Sequence, residues 1–97
     1  MKVDIKKSTN QKKKLMAIFY MGDKKIKTVH FGASGYTDYI KSGGDDERKK
    51  RYIARHSNGK EDWDMYMTPG SLSRWILWSK PTLKESIKDY KKMFNLL

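Results

Sequence analysis

Cysteine is absent from this sequence of 97 residues, which removes disulfide staples, thiolate chemistry and Cys-ligated zinc together. Histidine is scarce, with two in the chain, and His30 and His56 form no His-x-x-x-His pair. Long hydrophobic runs are missing as well. The longest, Leu15 to Met21, has seven residues, where a bilayer span needs about 20, and no apolar core of a signal peptide precedes a small-residue cleavage site. A soluble, intracellular protein with no membrane partner is the expectation. Glycines at 32, 35, 43 and 44 match neither a Gly-x-Gly-x-x-Gly nor a Walker loop, so no nucleotide cofactor is expected, and no other cofactor.

Acids are the last deficit: eleven Asp and Glu stand against 22 Lys and Arg, a formal net charge of +11. The excess is uneven. Residues 1–31 carry nine Lys and two Asp, and residues 45–60 six basic and three acidic groups; residues 61–79 are net acidic, with one basic group against three acids, and residues 80–97 return to five against two. Basic segments thus flank a nearly neutral, Trp-rich centre, a pattern suited to a compact core presenting cationic surfaces to a polyanion.

Hydrophobic residues are 37% of the chain, but aromatics are 12%, and each aromatic buries roughly 150–250 Å². The expected fold is therefore one small α+β domain over residues 15–97, preceded by a basic arm over 1–14. The arm has only Val3 and Ile5 as large apolar residues after Met1, too little to order it unless it pairs as an edge strand. Leu15 to Met21 and Lys24 to Phe31 read as a β-hairpin around Gly22-Asp23, three-stranded if the arm joins it. About three α-helices follow. Asp45 or Asp46 caps a helix to His56, ended by Asn58-Gly59; Thr68-Pro69 opens one running through Trp78; Thr82-x-x-Glu85 opens the last, to about Asn95. On that last helix Leu83, Ile87, Tyr90, Phe94 and Leu97 fall within about 80°, an amphipathic stripe.

Arg48, Arg51 and Arg55 lie at i, i+3 and i+7, within about 60° on one helix face. Guanidiniums so spaced can each hold a phosphate oxygen bidentately, and Lys49 accompanies them; the competing reading is a solvated charged face paired with Asp45, Asp46 and Glu47. Lys84, Lys88 and Lys91 form a second ridge, and Lys12, Lys13 and Lys14 with Lys24, Lys25 and Lys27 sit near opposite ends of the strands. Trp75 and Trp78 belong to the core, not to a base-stacking surface, and Trp63 to a lid over it. His30 and His56 with Asp38, Asp45, Asp46 and Glu61 would be the material for a metal-dependent nuclease, but Glu-x-Lys and HNH spacings are lacking and carboxylates are few. No catalytic or metal-binding residue is assigned, and no enzyme is expected.

The ordered set His30-Phe31-Gly32, Asp38-Tyr39, Arg48 to His56, Leu72 to Trp78 and Lys80-Pro81-Thr82-Leu83 resembles a family of small basic proteins encoded by large double-stranded DNA viruses of amoebae and algae. The likeness covers roughly residues 15–94, and departs from the family at Asp64-Met65-Tyr66-Met67, where relatives have a Pro-containing link. It implies a viral context, virion or infected cell, and a shared fold; the family has no established activity, so no catalytic residues carry over. With it, the expected partner is nucleic acid, double-stranded DNA bound through phosphates with little sequence preference. The alternatives are an adaptor on an acidic partner, anchored by Tyr36, Tyr39, Tyr66 and Met65, and the nuclease. A homodimer is open through the hairpin edge.

Overall fold

A computed structural model describes residues 1–57 and 62–97. Three antiparallel strands, β1 (Lys2–Lys7), β2 (Lys13–Met21) and β3 (Lys24–Ala33), form one sheet in the order β1-β2-β3. The basic arm thus supplies an edge strand, the one arrangement in which so polar a segment is ordered. Its outer edge is capped by the other end of the chain: Val3 N donates to Leu97 O at 3.0 Å, and Leu97 N donates to Met1 O at 3.0 Å. The β2–β3 turn uses Gly22 at φ 60°, a left-handed conformation that costs glycine little.

Period-two alternation puts Val3, Ala17, Phe19, Val29 and Phe31 on the core face, each no more than 6% exposed. The register pairs Val3 with Phe19, Ala17 with Val29 and Leu15 with Phe31. A shift between Phe19 and Tyr20 then pairs Phe19 with Lys27 and Tyr20 with Lys25. Ile26 is left between them, half exposed. This bulge breaks the period-two alternation of β3, whose Lys27, Val29 and Phe31 lie on one side with Lys24 to Ile26 out of step.

Helix α1 (Asp46–His56) is capped by Asp45, whose side chain accepts from the amides of Glu47 and Arg48, satisfying two of the orphan donors at a helix start. The expected stop at Asn58-Gly59 lies outside the described residues. Thr68 caps α2 (Pro69–Leu72), which passes directly into a π-helical stretch, Ser73–Leu77, closed by Trp78 N donating to Ser73 O at 3.1 Å. The sequence reading expected one ordinary helix here. The wider turn lets both Ile76 and Trp78 be buried, at 0% and 8% exposure. Helix α3 (Leu83–Met93), capped by Thr82 through Glu85 N, packs on the π stretch.

The α3 stripe holds for Tyr90, fully buried with its hydroxyl donating to Tyr66 O. It fails at Leu97, which is 79% exposed, while Leu96 is buried. The helix ends at Phe94 and Asn95 takes φ 55°, so helical spacing no longer applies beyond it. The architecture is α+β: three strands, then three helices with the π stretch between the last two.

Candidate nucleic-acid interface

The site begins with the chain between β3 and α1. Gly32 takes φ 80°, which other residues adopt only with strain, and a Cβ there would stand 2.6 Å from Leu77 Cδ1, so that side chain would also have to shift. Beyond it the loop is pinned at its middle. Asp38 is buried; its carboxylate accepts from Lys14 Nζ at 2.5 Å and from Lys41 N at 2.7 Å. Tyr39 N donates to Leu77 O at 3.1 Å, and its hydroxyl donates to Asp46 Oδ1 at 2.8 Å, tying the loop to the first turn of α1. That bond, with burial, raises the Tyr39 pKa. Tyr36 and Thr37, just before these anchors, face a cavity shared with the arginines of α1.

The result is a cavity of about 270 Å³ lined by Arg48, Arg51, Arg55, Tyr36, Thr37 and Trp78. Three guanidiniums and two hydroxyl side chains converge on it, and none of its lining residues is an acid. Asp45 reaches only one of the three, Arg48 Nε at 3.3 Å, with both side chains well exposed; such pairs are weak in water. Among the described residues, Arg51 and Arg55 make no ion pair. The floor is rigid, since Trp78 stacks on Tyr52 with centroids 4.5 Å apart and Tyr52 on His56 at 4.3 Å. A concave, water-accessible set of forked donors on a fixed helix face is fitted to bind oxyanions such as phosphate.

The other basic residues named from the sequence are placed differently. Lys49 turns away from the arginines: its ammonium donates to Ser79 O at 2.8 Å and lies 4.7 Å from the Tyr39 ring centroid. Desolvation and the nearby Arg74 lower its pKa. Lys14 is committed to Asp38, whereas Lys12 and Lys13 are exposed and Lys13 reaches a second cavity beside Arg55. Lys24, Lys25 and Lys27 are exposed at the opposite end of the hairpin, roughly 27 Å away along β2 at 3.4 Å per residue. Lys84 and Lys88 are exposed and Lys91 half-buried on α3, and none of them lines the arginine cavity.

Sequence reasoning found the three arginines and missed the walls that make them a cavity. Tyr36 and Thr37 come from an irregular loop, where periodicity gives no signal, and Trp78 was assigned to the core alone. Of the residues named as anchors for a protein partner, Tyr36 and Met65 are 72% and 58% exposed; Tyr39 is 8% exposed, and Tyr66 is half-buried with its hydroxyl near Met1 Sδ. Tyr39 is therefore a structural tie. His30 meets Ser8 Oγ at 2.7 Å on the sheet, while His56 stacks on Tyr52 on α1. Among the described residues no three His, Asp or Glu side chains gather as a metal set, and no helix is long and apolar enough to cross a membrane.

No curated protein and no solved structure matches this chain. A family match covers residues 3–56, more than half of its length. That stretch runs from β1 to the last residue of α1 and contains Arg48, Arg51 and Arg55. The chain belongs to the family of unknown function DUF5754.

Proposed function

We propose that this protein binds nucleic acid through backbone phosphates, with Arg48, Arg51 and Arg55 as the principal contacts. The observation that carries the reading is their convergence, with Tyr36 and Thr37, on one cavity with no acid in its wall. The net charge of +11 supports it by favouring encounter with a polyanion. The exposed lysines of the hairpin and of α3 add long-range attraction, not a fixed geometry. In this reading the ligand is double-stranded DNA with little sequence preference, and the setting is genome packaging or the replication factory of a large DNA virus, in virion, cytoplasm or nucleus. The protein acts as a binder, not an enzyme.

A salt titration on duplex DNA tests this. Contact with roughly six phosphates gives a slope of log affinity against log salt near −5. The triple substitution of Arg48, Arg51 and Arg55 by Ala is expected to weaken binding about 100-fold on every sequence and to flatten the slope by about 3, with unchanged melting. A salt-independent or absent signal overturns the reading. A parallel series with Mg²⁺ reads cleavage, and strand scission there would replace a binder with a nuclease.

A further inference from the structure

The arginine cavity does not stand alone. Four of its lining residues, Tyr36, Thr37, Arg55 and Trp78, also line a second cavity of about 360 Å³ between the end of β3, α1 and the α2–π segment. The two differ in chemistry. The first is bordered by guanidiniums; the second has a mainly apolar lining that includes Ala33, Leu77, Tyr52 and Trp78, although Lys13, Arg55 and the Lys14–Asp38 pair also border it. Its size is at the small end of ligand sites, which run to about 300–1,000 Å³, so it has room for one planar heterocycle and its sugar, not for an oligomer. Tyr36, 72% exposed, stands where the two meet.

A charged cavity abutting an apolar, aromatic one repeats the layout of a single nucleotide. We propose that the paired cavities hold one unpaired nucleotide of a nucleic-acid strand, its phosphate on Arg48, Arg51 and Arg55 and its base beside Tyr36 and Trp78. The proposal rests on the phosphate-binding reading and narrows its ligand from intact duplex to unpaired stretches of nucleic acid. A base stacked and paired within a duplex cannot enter, so the site favours strand ends, gaps and single strands, where unstacking costs least. Stacking on an aromatic side chain tolerates any base, in keeping with weak sequence preference.

The test compares two single-stranded octamers of equal charge, one carrying 2-aminopurine among ordinary bases and one abasic throughout, each in deoxy and ribo form. The base-bearing strand is expected to bind about 10-fold tighter, within the range of one stacked base, and its 2-aminopurine emission to be quenched. Ala33→Phe, which fills the second cavity from the strand end, removes that preference and leaves affinity for the abasic strand unchanged. Ser73→Phe, on the π stretch and lining the second cavity alone, serves as an independent plug if the strand variant does not fold. Equal affinity for both octamers with a steep salt dependence overturns the nucleotide site while leaving phosphate binding intact. No binding to either strand overturns both. The deoxy and ribo arms show which sugar is preferred.

Discussion

The arginines of α1 and two other cations, Lys49 on the same helix and Arg74 on the π stretch, carry the same charge to opposite ends. Arg48, Arg51 and Arg55 are exposed and open onto a cavity. Arg74, on the π stretch, is half-buried with its guanidinium 4.3 Å from the Trp75 ring and 5.4 Å from the Trp63 ring, and donates to Trp78 O at 2.8 Å. Its Nε is buried without a hydrogen-bond partner, and desolvation lowers its pKa. The difference teaches that a cation stays available to an outside anion only where no ring or carbonyl has taken it up. Ring faces and carbonyls absorb Arg74 and Lys49 into the architecture, while the α1 arginines face solvent across a rigid wall.

The largest effect that would break this contrast is expected at Arg74. Arg74→Ala removes the ring contacts and leaves the Trp78 carbonyl without its donor, for a loss of about 2 kcal/mol from cation–π and charged hydrogen-bond terms together. Arg74→Met keeps the stem packing and removes a half-buried charge that meets no carboxylate among the described residues, and is expected to lose less than about 1 kcal/mol. Thermal unfolding of both variants, with nucleic-acid affinity measured on the folded forms, checks it. Unchanged affinity sustains the division of labour. A large affinity loss in a stable Arg74→Met protein would place Arg74 in the interface.

How much of this was legible follows from periodicity. The helix starts at Asp45, Thr68 and Thr82 were readable because a capping oxygen must sit at a fixed offset from the amides it accepts. The arginine face was readable because α1 is a regular helix. Lys49 was grouped with the arginines, yet it lies about 100° from Arg48 on the helix, and its ammonium donates to Ser79 O instead. The π stretch was not readable, because an inserted residue per turn answers to packing at Ile76 and Trp78, not to a local motif. Nor were Tyr36 and Thr37, which depend on the distant pairing of Asp38 with Lys14.

An intermediate effect sharpens the comparison from the other side. Arg51→Lys keeps the charge and gives up the planar fork, so long-range attraction survives while bidentate phosphate contact does not. Affinity for nucleic acid is expected to fall about fivefold, near 1 kcal/mol, with no change in melting temperature. Equal affinity for wild type and Arg51→Lys would mean that the face acts as diffuse charge, like the lysines of the hairpin.

The smallest effect belongs to Lys49 and is read in pH. Its folded-state pKa lies below the ordinary lysine value because burial and Arg74 disfavour the ammonium. The charged form therefore costs stability while both states are protonated, below the folded pKa. As pH rises through that value toward about 10.4 the folded state releases its proton first, the unfolded state holds more protons, and stability rises. Tyr39 and Tyr90, both with raised pKa, act oppositely, but only near and above the unfolded tyrosine value of about 10. Below about pH 10, before the tyrosines titrate, the difference between wild type and Lys49→Met isolates the lysine. Wild type is expected to gain a few tenths of a kcal/mol on the variant across that window, the solvent around a partly exposed side chain screening the rest. A flat difference would put Lys49 in water with the α1 arginines, and the boundary between structural and binding cations would have to be redrawn through α1 itself.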